Sequence, residues 1–319
     1  MQSEKKDEGH GRHVLCVGAA VLDTLFRVHD MPTGQGKVLP YEMLQIAEGM
    51  ASSAAYTVRR MGGRASLWGA VGDDETGARI LRDLWESGID TSGMTVAKGA
   101  RSALSTILID DRGERLIVPF YDHRLHENKR SCTQADLAPF DAVLVDVRWP
   151  ELALEVLTVA RQLGKPAILD GDVAPVETLE RLAPAASHII FSEPAAERLT
   201  GLSDVSAMVS VLHARYPETF IAVTAGPSGC YWTEPGDPTI HLQSTMAIEA
   251  VDTLAAGDVF HGTFALAVAE GMESRAAIQL SSVAAALKCR VFGGRTGTPT
   301  RADAEAAMTT WLAEAAPQS

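Results

Sequence analysis

Short apolar, β-rich runs alternate with segments of helical period along most of this chain. His13–Ala19, Ala65–Val71, Ala142–Val147, Ala167–Asp170, His188–Phe191 and Phe220–Thr224 read as strands. Between them Ala51–Met61, Thr76–Trp85, Glu151–Leu163, Val176–Leu182 and Val205–Tyr216 carry apolar positions at helical spacing. Strands joined through helices lie parallel, and strands this apolar are covered on both faces. The alternation therefore predicts an α/β fold, a three-layer α/β/α domain around a mostly parallel central sheet. Right-handed crossovers then collect the strand C-termini, and the loops leaving them, along one functional edge.

Two regions break the alternation. Val21–Val28 and Val38–Ile46 alternate in polarity around Pro32, Gly34 and Gly36. Ser105–Asp110 and Arg115–Phe120 flank Asp111-Arg112-Gly113, a hairpin signal. These pieces are too short for a core of their own. They predict a small antiparallel β lid, formed by segments about 21–47 and 103–121, that excludes water from the active edge. The C-terminal third reads as helices Asp258–Glu270, Arg275–Cys289 and Arg301–Glu314. With neither repeat nor low-complexity linker, residues 1–319 are expected to form a single domain.

The formal net charge of −13 argues against nonspecific binding to nucleic acid or anionic membranes, which wants clustered Lys and Arg. Such a chain must gather positive charge locally if it handles anions. Cys16, Cys132, Cys230 and Cys289 form no C-x-x-C pair and read as thiols in a reducing cytoplasm. The charged start has no apolar core for a secretory signal, and no run is long enough to span a bilayer. His10 and His13 could share a metal, although a short polar start is usually a tail.

The stretch Asp252-Thr-Leu-Ala-Ala-Gly-Asp258 follows a β-like run and opens a helix of small and apolar residues. Small residues ahead of a helix leave backbone N–H groups approachable, and with the helix dipole they make an anion site. An isolated Asp at a helix start is ordinarily an N-cap. Here Asp258, beside the amides of Ala255, Ala256 and Gly257, could orient an acceptor hydroxyl and take its proton while the amides face a transferring phosphoryl group. No G-x-x-x-x-G-K-[ST] run exists, and neither G-x-G pair has its third glycine, so P-loop and dinucleotide fingerprints are absent.

This stretch resembles the D-T-x-G-A-G-D signature of the PfkB, ribokinase-like, carbohydrate kinases. Gly49 through Gly72, with Arg60-Met-Gly-Gly63 and Gly69-Ala-Val-Gly-Asp-Asp74, resembles that family's N-terminal signature. Thr224-Ala-Gly-Pro-Ser-Gly229 resembles its nucleotide loop, and Gly293-Gly-Arg-Thr-Gly297 stands where the family closes the adenine pocket. The four motifs occur in order, and the resemblance covers almost the whole chain. It implies ATP and Mg2+, with K+ as a further candidate. It also implies catalysis by Asp258 with the amides of Gly257, Ala256 and Ala255, and nucleotide binding by Thr224, Gly226, Gly229 and Ser192. Three departures stand out. Ala255 replaces a glycine, a change compatible with the loop at negative φ. The N-x-x-E element reads Ser192-Glu-Pro-Ala195, leaving Glu193 as the candidate for an indirect, water-mediated role at the metal. The asparagine of the sugar-binding run falls at Ser53, with Glu48 in place of its first glycine.

The resemblance makes Asp23, Gly49 and Ser53 candidates for gripping sugar hydroxyls, a carboxylate being suited to vicinal diols. Thr33-Gly-Gln-Gly-Lys37, Asp146-Val-Arg-Trp149, Leu169-Asp-Gly-Asp172, Phe191-Ser-Glu-Pro194 and Ala286-Leu-Lys-Cys289 are similar to one branch, the 6-deoxy-6-sulfofructose kinases. On that likeness Lys37 and Arg148 would meet the sulfonate through charge-assisted hydrogen bonds. Pro119 stands on the lid strand where a polar sulfonate partner is expected. A fructose-type or other ketose kinase is the alternative, and a catalytically weak sugar- or nucleotide-binding regulator a second. The partners implied are a small sugar and ATP, and an exposed lid sheet could pair with its twin in a homodimer.

Overall fold

The computed structural model describes residues 11–127 and 130–315. Its strands are β1 (His13–Val17), β2 (Val21–Arg27), β3 (Glu42–Glu48), β4 (Arg64–Trp68), β5 (Ala70–Gly72), β6 (Thr95–Ala97) and β7 (Leu104–Ile109). There follow β8 (Arg115–Phe120), β9 (Ala142–Val145), β10 (Ala167–Gly171), β11 (His188–Ser192), β12 (Phe220–Thr224), β13 (Cys230–Glu234) and β14 (Asp237–Gln243). The central sheet has eight strands in the order β14-β13-β12-β11-β10-β9-β1-β4. From β12 to β4 every pairing is parallel, and only the β12-β13-β14 end is antiparallel.

Period-two alternation divides the buried strands between two cores. Leu15, Val17, Val143, Val145 and Leu169 face the helix Pro150–Gln162, which contributes Leu152, Val156 and Leu157. Val14, Cys16, Leu144, Ile168 and Ile190 face the opposite layer, with Val58, Phe264 and Ile278 of the helices Met50–Arg60, Ala256–Ala269 and Ser274–Cys289. Each fully buried Leu, Ile or Val contributes about 1.5–3 kcal/mol. Both faces are covered, as the apolar runs require.

A four-stranded sheet, β3-β2-β7-β8, projects from this body. Its outer pairings are antiparallel as expected, while the central β2–β7 pairing is parallel, so the sheet is mixed and not antiparallel throughout. Leu25, Ile46, Ile107 and Ile109 form its inner face and pack on Leu254 and Phe292. The lid thereby rests directly on the loop that leads to Asp258. Its outer face leaves Met43, Leu116, Val118 and Phe120 exposed.

Several boundaries differ from the sequence reading for physical reasons. The first strand ends at Val17 because Gly18 has φ +146°, and a Cβ there would lie 2.1 Å from the Asp146 carboxyl. Ala65–Val71, expected as one strand, is split at Gly69 between the central sheet and a separate β5-β6 pair, because Gly69 passes within 2.6 Å (measured from a would-be Cβ) of Gly18 O. The Val38–Ile46 strand begins only at Glu42, since Val38–Tyr41 is exposed and Pro40 has no N–H to donate. The helix expected from Asp258 starts earlier, at Ala256. The helix Glu193–Thr200 and the β13-β14 hairpin were not anticipated.

Candidate active site

The parallel sheet brings its carboxyl-edge residues together. Asp146 follows β9, Asp170 lies in β10 with Asp172 just beyond it, Ser192 ends β11 and Thr224 ends β12. Asp258 sits in the first turn of the helix Ala256–Ala269. Its carboxyl is pushed well above the ordinary carboxylate range, first by burial and then by Asp170, Glu48, Asp172 and Asp146. A higher pKa makes it a stronger base than a free aspartate, which is what proton removal from an alcohol wants.

The loop before Asp258 is held at both ends. Asp252, 1% exposed, accepts from Leu254 N at 2.8 Å and from Gly293 N and Gly294 N at 3.0 Å each. The ammonium of Lys288, 0% exposed, lies 3.3 Å from Asp252 Oδ2. Arg115 of the lid donates to Thr253 Oγ1. Ala255 has φ +61°, alone in the left-handed region among the described non-glycine residues. The sequence reading tied its tolerance to negative φ. Instead the loop keeps the turn that glycine favours, and the methyl group bears about 1–2 kcal/mol of strain.

On the lid side Asp23, 7% exposed, accepts from Ser105 Oγ at 2.6 Å, and burial pushes its pKa up to about 6. Asp23, Ser105 and Pro119 stand in one register row across the lid. Gly49 has φ +111°, and a Cβ there would lie 2.7 Å from Ala19 O. Ser53 is fully buried and its hydroxyl donates to Glu48. It therefore braces Glu48 and leaves little of itself to meet a ligand. Glu48, pushed up to about 7 chiefly by burial and opposed by Arg295, accepts from Arg295 N at 2.7 Å. The buried Arg295 guanidinium also reaches Asp83 at 2.7 Å and lies over the Tyr56 ring.

Asp146, 2% exposed, accepts from Ala19 N at 2.8 Å, Ala51 N at 3.1 Å and Arg148 N at 2.7 Å. It ties the turn after β1 to the start of the helix Met50–Arg60. Arg148 lines a cavity of about 170 Å³ with Tyr121, His123 and His126. Burial raises the Tyr121 hydroxyl above its ordinary value, and Arg148, Asp146, Asp23 and Asp258 all act on it. Lys37 is on the exposed connection between β2 and β3, makes no hydrogen bond or ion pair among the described residues, and does not line the cavity that holds Arg148. Tyr121, Asp170 and the Asp252–Lys288 pair escaped the sequence reading, although Asp170 and Lys288 lie in stretches it singled out.

At the ends of β11 and β12 Ser192 Oγ donates to Asp172 at 2.9 Å and Thr224 Oγ1 to Phe191 O at 3.3 Å. Gly226, at φ +48°, would carry a Cβ into open space, so its bare backbone faces outward from the turn. Gly229 at φ +98° crosses β14 so closely that a Cβ would meet Gln243 O at 2.2 Å. Glu193 is the first residue of its helix. Among the described residues no group of three or more His, Cys, Asp or Glu side chains could cage a metal. Any Mg2+ would therefore have to ride chiefly on the phosphate oxygens of its nucleotide. His13 Nε2 lies 2.9 Å from Ser66 Oγ, while His10 is outside the described residues.

The family model of pfkB carbohydrate kinases matches residues 12–301. The chain belongs to that family. It is thus a phosphotransferase with an alcohol acceptor on a ribokinase-like fold. It is similar to the ribokinase of Bacillus subtilis, 26% identical over 304 residues that cover 92% of this chain and 98% of that one. The fructokinase of Klebsiella pneumoniae is 25% identical over 320 residues, covering 92% and 98%. A crystal structure from Agrobacterium tumefaciens, described provisionally as a ribokinase, is 82% identical with a TM-score of 0.94, covering 95% of this chain and 99% of that one. The Arabidopsis thaliana ribokinase complexed with ribose and ATP superposes with a TM-score of 0.77, covering 93% and 98%; at 20% identity the likeness is one of fold. No helix among the described residues is long and apolar enough to cross a membrane.

Ala255→Gly tests the strained turn. Relief of the left-handed alanine outweighs the added freedom of the unfolded chain, so the variant should be more stable by about 0.5–1 kcal/mol. Urea denaturation measures it. A variant less stable than the parent would mean the turn is not strained.

Proposed function

We propose that this kinase transfers the γ-phosphoryl group of ATP, with Mg2+, to the C1 hydroxymethyl group of a ketose bearing an anion at its far end. 6-Deoxy-6-sulfofructose, converted to its 1-phosphate, fits that description. Asp258 orients the hydroxyl and takes its proton. The amides of Ala255 and Gly257 would face the transferring group, that of Ala256 being shared with Thr253 O at 3.3 Å, and Mg2+ when bound neutralises phosphate charge. Asp23 and Gly49 hold sugar hydroxyls, while Thr224, Gly226, Gly229 and Ser192 form the nucleotide side.

The observation that carries the anionic substrate is the cavity lined by Arg148, Tyr121, His123 and His126, with Asp122 also on its wall. The Asp122 carboxylate is answered by Arg124 at 2.6 Å, so the guanidinium, two imidazoles and phenol leave, in a chain of net charge −13, a local surface suited to an anion. Lys37 would join it only through a lid movement. One observation favours an uncharged ketose instead. Arg148 Nη2 lies 3.7 Å from Asp172 and Nη1 donates to Val173 O, so part of its charge is already answered. The exposed apolar face of the lid supports a homodimer formed through that sheet.

Three measurements test this reading. Asp258→Asn should fold normally and lose about 10²–10⁴ in kcat; retention of a tenth of the parent's turnover would remove Asp258 from catalysis. Arg148→Ala should lower kcat/KM for sulfofructose by about ten- to hundredfold while leaving fructose nearly unchanged. Equal losses on both sugars, or a parent enzyme that prefers plain fructose, would favour the uncharged ketose. The pH profile reports on Asp23. Its folded pKa lies above the free value, so the carboxylate protonates as pH falls through about 6 and loses acceptor capacity. The kcat/KM for sugar should therefore fall below about pH 6, and Asp23→Asn should remove that limb along with most sugar affinity. If the limb survives in the Asn variant, it belongs to another group.

A further inference from the structure

We infer that Lys288 supplies, from within the chain, the fixed monovalent positive charge at the root of the anion loop, so that turnover needs no added K+. Lys288 is the penultimate residue of the helix Ser274–Cys289 and is 0% exposed. Its Nζ donates to Asp252 O at 2.6 Å and lies 3.3 Å from Asp252 Oδ2. The same junction carries Cys289 O, which accepts from Val251 N at 2.8 Å and from Asp252 N at 3.1 Å. The ammonium thus sits where a helix C-terminus presents carbonyl oxygens and where the loop to Asp258 begins. A cation is favoured at that position by the helix end as well as by the carboxylate.

A monovalent ion supporting this loop would require oxygens of this kind, a carbonyl and a carboxylate at the loop's first residue. Both are engaged by Lys288, and Asp252 Oδ2 is further occupied by Gly293 N and Gly294 N at 3.0 Å each. A second positive charge there would face a buried ammonium with no water to screen it. The residues present therefore do not fit K+ as well. Asp252 in turn holds Leu254 N and the Gly293–Gly294 backbone, so the charge on Lys288 fixes the loop relative to the segment after the last core helix. Lys288 is fully buried behind Asp252. It is a positioning residue acting through Asp252.

The inference rests on the kinase reading, and the two fail differently. Absence of ATP-dependent sugar phosphorylation in every salt would overturn the kinase reading. The parent enzyme is assayed first, in Na+, K+, NH4+ and N-methylglucamine chlorides at fixed ionic strength. Its kcat/KM for ATP and its Tm should agree within about twofold and within about a degree across the series. Activation of the parent by K+ of about tenfold, or a Tm that climbs with K+, overturns the inference. Lys288→Ala should be weak in N-methylglucamine and recover both Tm and kcat/KM with K+ or NH4+. A folded variant that is fully active without a small cation, or that none restores, also overturns it. If the variant does not fold, the parent's salt series decides alone.

Discussion

The Asp252 carboxylate receives partners from three parts of the chain: the amide of Leu254 within its own loop, the ammonium of Lys288 on the helix behind it, and the amides of Gly293 and Gly294 beyond that helix. All are within hydrogen-bond or ion-pair reach and away from solvent. A buried ion pair adds little net stability, because desolvation offsets most of the attraction, yet deleting one partner costs about 3–5 kcal/mol. Its contribution here is geometric. The loop must carry a left-handed alanine, which an unconstrained chain would not keep. Anchoring at Asp252 and the helix that begins at Ala256 leave it one conformation.

That anchoring matters because the carboxyl edge is electrostatically crowded. Asp258, Asp170, Asp172, Asp146 and Glu48 are close enough to act on one another. Asp146 is offset by three backbone amides and Glu48 by the Arg295 backbone and guanidinium, whereas among the described residues Asp258 forms no ion pair. Burial and the neighbouring carboxylates push both Asp258 and Asp170 well above the ordinary carboxylate range. Of the two, Asp258 is the one beside the amide loop. The same crowding disfavours a polyanion, so on the proposed reading a nucleotide would need backbone donors at the helix start and a cation of its own.

The mostly parallel sheet, its three layers and the separate small sheet were legible because each follows from periodicity and turn chemistry over many residues, whereas the strand order was not read from the sequence. The loop motif located Asp258 without any structure. The misplacements come from single residues with long-range reasons. Gly18 ends β1 because Asp146, far along the chain, occupies the space a side chain would need. Gly69 splits a seemingly continuous strand because it crosses Gly18. Ser53 looks like a polar residue on a sugar-binding helix, but its hydroxyl is committed to Glu48, a partner identifiable only once the helix start is folded. Lys288 and Arg295 were hidden for a related reason. A buried cation in the last third of a chain looks, in sequence, like any solvated Lys or Arg.

The lid and the anion loop share one small core. Leu25, Ile46, Ile107 and Ile109 pack on Leu254, the residue whose amide Asp252 holds, and Arg115 of β8 donates to Thr253. Removing the lid from this surface would expose Leu254 and free the Thr253 hydroxyl, weakening two of the contacts that hold the loop in its left-handed turn. The small sheet and the loop conformation are therefore mechanically coupled through Leu254 and Thr253. Asp23 stands on the same inner face, two residues before Leu25. On the proposed reading, a sugar bonding Asp23 would load β2 next to Leu25, whose packing on Leu254 reaches the loop before Asp258. Substrate grip and transition-state donors would then be linked through packed side chains, the coupling that sugar-dependent closure requires.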